Sequence, residues 1–102
     1  MMKKREINFL IEQGLHDAVI DNINIDFRGK VITLCILTRN EKIELVLKEI
    51  GLLHIEKDND FRNDEIILTY SIVGNNEISF YTTSNTKYRI CFKESIVLID
   101  KK

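Results

Sequence analysis

The 102 residues carry 15 Lys and Arg against 16 Asp and Glu, a net charge of −1, and 44% of them are apolar. That length holds one compact domain, read here as a single β-rich domain over residues 1–102, and the apolar share argues against a disordered chain. The balanced charge lacks the basic footprint of a nucleic-acid binder, and no segment approaches the ~20 consecutive apolar residues of a membrane helix.

In chain order, Ile7, Leu10 and Ile11 fall at i, i+3, i+4, which predicts a short N-terminal helix closed by Gly14. Phe9 lies off that stripe and leaves a strand as the alternative. Lys3, Lys4 and Arg5 imitate the start of a signal peptide, but Glu12 interrupts the apolar run and no small-residue cleavage site follows. Ile23, Ile25 and Phe27 alternate with Asn22, Asn24 and Asp26 as in a half-buried strand, and Arg28-Gly29 reads as a hairpin turn. The run VITLCIL, residues 31–37, is apolar on both parities apart from Thr33, which predicts an interior strand covered on both faces.

Beyond the turn TRNEK, Ile43, Leu45 and Leu47 alternate with Glu44 and Lys48, and GLLHIE is a further short apolar piece. A polar loop, KDNDFRND, separates it from the alternation of Ile66, Leu68, Tyr70 and Ile72. GNN is a turn signal. Ile78, Phe80 and Thr82 then share one face, and Tyr88, Ile90 and Phe92 lie opposite Arg89, Cys91 and Lys93. SIVLID closes the chain. Seven to eight short strands at this spacing predict a mainly β fold, an antiparallel sandwich or partly closed barrel.

The chemistry is thin. His16-Asp17 has the residue types of a metal site or an oriented general base, but either role needs partners, and His54 is the only other histidine. Entry into the first strand is the better account: His16 suits a helix C-terminus, and Asp17 a turn. The acidic stretch starting at Asp58 fails as a calcium loop, with Arg62 fifth, Asn63 sixth and Thr69 twelfth. Its four acids, Asp58, Asp60, Asp64 and Glu65, against Arg62 leave a local charge of about −3 around Phe61, a combination suited to a protein interface.

KYRICFK resembles a basic-aromatic strip, yet strand parity places its rings and its charges on opposite faces. Arg89 and Lys93 would lower the thiol pKa of Cys91, but no histidine is at hand to make it a nucleophile. No glycine-rich phosphate loop, CxxC, HExxH or GxSxG is present. No metal site and no cofactor are expected. Both cysteines sit inside strand-like runs, the pattern of reduced structural thiols, so a cytoplasmic protein is expected.

LHDAVIDNINIDF, then VITLCIL, then IELVLKEIGLLHI resembles a loose group of small bacterial proteins of unknown function. These open with a Leu-His-Asp box, run into a strand pair and carry a spaced apolar stretch, here Leu45, Leu47, Ile50 and Leu53, with Leu47 at the place of an aromatic. Some members look like immunity proteins of polymorphic toxin systems, which bind and block a toxin. The resemblance covers the first half of the chain and implies a non-enzymatic protein-binding module with a toxin as partner. The alternative is a small enzyme or ligand-binding domain with a pocket near His16 and His54.

Overall fold

The computed structural model describes residues 3–5, 7, 10, 15, 17–56, 66–74, 76–83 and 86–101. Nine strands run through them: β1 (Lys3–Arg5), β2 (Val19–Asp26), β3 (Val31–Leu37), β4 (Glu41–Lys48), β5 (Leu52–Glu56), β6 (Ile67–Val73), β7 (Glu77–Thr82), β8 (Lys87–Cys91) and β9 (Glu94–Lys101). They form two antiparallel sheets, a first of order β1-β9-β4-β3-β2 and a second of order β5-β8-β7-β6. The fold is an all-β sandwich. β1 precedes the stretch expected to be helical, and within that stretch Leu10 is helical. Residues 8, 9 and 11–14 of that stretch lie outside the described ones.

Local chemistry sets the hairpins. Asp26 Oδ1 accepts the N–H groups of Arg28 and Gly29, each at 3.1 Å, which closes the β2–β3 turn. A side chain at position 29 would place its Cβ 2.7 Å from Asp26 Oδ2, so any other residue there would displace the capping carboxylate. Phe27, expected to continue the apolar face of the strand, falls in the turn and is 82% exposed. Between β3 and β4, Thr38 Oγ1 accepts the N–H of Glu41 at 3.1 Å.

One pair of strands passes through both sheets. β4 leads through Glu49–Gly51 into β5, and its partner β8 leads through Phe92–Lys93 into β9. Rungs continue across the bend: Lys93 N–H donates to Lys48 C=O at 3.1 Å and Gly51 N–H to Cys91 C=O at 2.9 Å. Gly51 and Leu52 thus both oppose Cys91, a bulge that turns the ladder from one sheet into the other. A second junction ties β2 to β6. There Asp17 N–H donates to Ile67 C=O, Ile67 N–H donates to Ala18 C=O, and Val19 bridges Ile66.

The core fills the space between the sheets. Ile32, Leu34, Ile36, Ile43, Leu45 and Leu47 close it from one side, and Ile67, Ile78, Phe80, Tyr88 and Ile90 from the other. Leu10 and Leu15 are buried with them, and the Tyr70 hydroxyl donates to Leu10 C=O at 3.1 Å. β3 is interior, as its composition predicts, but only one face is covered. Ile32, Leu34 and Ile36 are buried, while Val31, Thr33, Cys35 and Leu37 are half-buried by cross-strand neighbours such as Val46 and Lys48. The apolar outer parity comes from that lateral packing and not from a further layer.

Two bulges shift the inward parity. The ladder slips between Ile20 and Asn22 in β2, and between Ile67 and Thr69 in β6. Ile67, not Ile66, is therefore the fully buried residue at the start of β6.

The half-covered β3 sets an expected contrast in urea denaturation. Leu34→Ala, at a fully buried site, should cost about 2–5 kcal/mol. Cys35→Ala, next to it on the outer face, should cost clearly less. Equal losses would show a covered outer face.

Candidate functional site

The outer face of the second sheet is a grid of side chains set by register. Glu56, Lys87, Tyr81 and Thr69 form one cross-strand row, and His54, Arg89, Ser79 and Ser71 the next. Leu52, Cys91, Glu77 and Val73 form the third. Strand alternation sends this parity to solvent because Ile78, Phe80, Tyr88 and Ile90 take the other into the core. Thr69, Ser71 and Ser79 are short, and the longer Arg89, Lys87 and Tyr81 stand beside them. The result is an open trough of about 520 Å³ with a hydroxyl floor, bordered on the β5 side by His54 and Glu56.

Its charges are largely matched in place. Glu77 Oε1 accepts from Arg89 Nη2 at 3.0 Å, from Arg89 Nε at 3.3 Å and from the Cys91 thiol at 3.4 Å. The bond from Arg89, with that of Cys91, holds the Glu77 carboxyl below the ordinary glutamate range and raises the Arg89 guanidinium. Burial and the Glu77 carboxylate push the Cys91 thiol up. That reverses the lowered thiol expected from the flanking Arg89 and Lys93, because Arg89 is engaged by Glu77 and counts least at the sulfur. The Arg89 and Glu77 side chains keep 56% and 25% of their surface in solvent, so water screens the pair. His54 Nε2 stands 3.9 Å from Glu56 Oε2, both exposed, and Lys87 Nζ lies 6.0 Å from the centre of the Tyr81 ring. These are weak, solvated contacts.

Among the described residues no group of three or more His, Cys, Asp and Glu is placed to hold a metal ion. None of their helices is long and apolar enough to cross a membrane.

Of the residues singled out from sequence, His54 lies in this site, on the face opposite Leu53 and Ile55, as alternation requires. Asp17 is exposed in a left-handed turn, φ 69°, at the junction of β2 with β6. His16 lies outside the described residues, and so do Asp58, Asp60, Phe61, Asp64 and Glu65. The structure adds Tyr81, Ser79, Ser71, Thr69 and Glu77. Their polar parity is readable within each strand, but their meeting depends on the order β5-β8-β7-β6, which no local pattern encodes. Tyr81 also brings a ring beside Lys87 from the neighbouring strand, a pairing that parity within KYRICFK does not reveal.

The chain matches no family model, no curated protein and no solved structure.

The Glu77 cluster has a measurable signature. A carboxyl with a lowered folded pKa adds stability above its unfolded pKa and loses it as pH falls through the folded value. Carbon-detected NMR should find Glu77 titrating below the ordinary glutamate value, and Arg89→Ala should return it upward. In a Cys35→Ser background, Cys91 should react with thiol reagents at neutral pH more slowly than a free thiol, and faster after Glu77→Gln. A Cys91 more reactive than a free thiol would contradict the cluster.

Proposed function

We propose that this protein is a non-enzymatic protein-binding module whose trough on the second sheet receives its partner. The observation that carries the reading is the trough itself: a broad, open face with tyrosine and arginine over a floor of small hydroxyls. Its polar groups are paired side by side and not gathered around a reacting atom. Tyrosine and arginine are the residues most often central to protein interfaces, and open faces suit protein surfaces better than small substrates.

The resemblance carried by Leu15, His16 and Asp17 adds a partner class, a toxin of the kind that immunity proteins block. The acidic segment supports a partner that is basic where they meet, since Asp58, Asp60, Asp64 and Glu65 come after β5 in the sequence, and β5 borders the trough. On this reading those acids steer encounter and Phe61 anchors. A cytoplasmic setting belongs to the same proposal and draws on Cys35 and Cys91 being free thiols on different sheets.

Capture from host lysate, with the retained protein identified and then purified, tests this. Wild type should retain a protein that an Arg89→Glu, Tyr81→Ala variant holds at least about tenfold more weakly, the scale of losing ~1.4 kcal/mol. With the purified partner, reversing Asp58 and Asp60 should slow association, and Phe61→Ala should speed dissociation. Equal retention by wild type and trough variant would remove the trough from the interface. A second reading, a small-ligand site, draws on His54 and Glu56 beside the hydroxyl floor. It gains if a low-molecular-weight fraction shifts the His54, Ser79 and Arg89 amide signals while no protein is retained.

A further inference from the structure

Four strands end the two sheets, and three of these edges are guarded. β1 has three residues, Lys3-Lys4-Arg5. β2 is bulged after Ile20, presents Asn22, Asn24 and Asp26 along its exposed parity, and is bonded to β6 where it begins. β6 is bulged after Ile67 and shares that junction. Bulges, short strands and charge are the usual means of keeping an edge from pairing. β5 is bulged only where it begins, at Gly51–Leu52; from Leu53 to Ile55 its register with β8 is unbroken, and no lysine, arginine or proline interrupts it.

The inner face of β5 is also incompletely covered. Ile55 has the parity of the buried core yet is 43% exposed, and Leu53 is only half-buried. Beside Leu53 lies a slot of about 130 Å³, lined by Ile25, Phe27, Val31 and Ile50, and Phe27 at its mouth is 82% exposed.

We propose that β5 pairs antiparallel with the β5 of a second copy about a twofold axis at His54, joining two four-stranded sheets into one of eight strands. This inference is independent of the partner proposed for the trough. The ladder itself sets the register. Phe92 N–H donates to Asn76 C=O, and antiparallel alternation along β8 then directs residues 88 and 90 toward β7 and 87, 89 and 91 toward β5. β5 answers with Leu52, His54 and Glu56, which leaves the N–H and C=O of Leu53 and Ile55 directed at the open edge.

With His54 on the axis, Leu53 of each copy faces Ile55 of the other, and these are the residues with bonding groups to offer. The same register brings the second copy's Ile55 beside Leu53, at the slot under Phe27. It also sets the two His54 side chains between two Glu56 carboxylates on the outer face, an alternation without like-charge carboxylate contact.

The length fits as well. Ile50 N–H is taken by Lys30 C=O and Gly51 N–H by Cys91 C=O, so added pairing stops at Leu52, and five residues meet five. The contact is isologous, as closed dimers are, and lies at the small end of specific interfaces, so a concentration-dependent equilibrium is expected.

Two measurements test it on the full chain. Sedimentation equilibrium across a concentration series should show wild type passing from monomer to dimer, with Ile55→Lys monomeric throughout and folded by circular dichroism. In a Cys35→Ser, Cys91→Ser background, His54→Cys should form an interchain disulfide under mild oxidation. Opposed residues of a non-hydrogen-bonded pair stand about 4.5 Å apart at Cα, within disulfide reach. Val73→Cys, 57% exposed on the β6 edge, should not cross-link. Wild type that stays monomeric at every concentration overturns the proposal. So does a folded Ile55→Lys that dimerises like wild type, or cross-linking at Val73→Cys as fast as at His54→Cys. If Ile55→Lys fails to fold, the two cysteine variants decide.

Discussion

The fold depends on one antiparallel pair of strands that belongs to both sheets. β4 and β9 are the middle of the first sheet, and the same two stretches of chain, past Glu49–Gly51 and Phe92–Lys93, become β5 and β8 of the second. Rungs at Lys93–Lys48 and Gly51–Cys91 carry the ladder over the bend. Because Gly51 and Leu52 both oppose Cys91, the outer parity of the second sheet is fixed there. Leu52, His54 and Glu56 face out with Cys91, Arg89 and Lys87, and Leu53 joins Ile90 on the inner side. The trough and the free edge both follow from that bend. β3 accompanies β4 only as far as Lys30, whose carbonyl takes the N–H of Ile50, so among the described residues β5 continues with no strand on that side.

Much of this is legible locally. Alternation identifies the inward residues of β4, β7 and β8, the turn at Arg28-Gly29, and the outward position of His54. It fails where the period is broken. One extra residue at each bulge moves the buried position at the start of β6 to Ile67, and turn formation at Asp26 carries Phe27 out of its strand. A two-sided apolar run such as VITLCIL does not distinguish a second covering layer from lateral cover by Val46 and Lys48.

The candidate site is less legible still, because it exists only between strands. Arg89 alone reads as an exposed cation beside a cysteine. Across the ladder it meets Glu77, twelve residues away, and the combination inverts the expected effect on Cys91. Ser71, Ser79 and Thr69 carry no motif, and their value as a floor comes from lying next to longer neighbours. The sequence offers local parity, while strand order supplies the neighbours that turn parity into a surface. The proposed protein-binding role draws on that breadth, since an open face offers contact over area.

The continuity of the bent ladder is the claim on which the rest turns, and backbone NMR tests it directly. Cross-strand contacts should appear between Leu45 and Val97 in one sheet and between Leu53 and Ile90 in the other. The Ile50 and Gly51 amides between them should be protected from exchange, because each donates to a backbone carbonyl. Rapid exchange at both amides, together with no Leu53–Ile90 contact, would mean that the second sheet is not the continuation of the first.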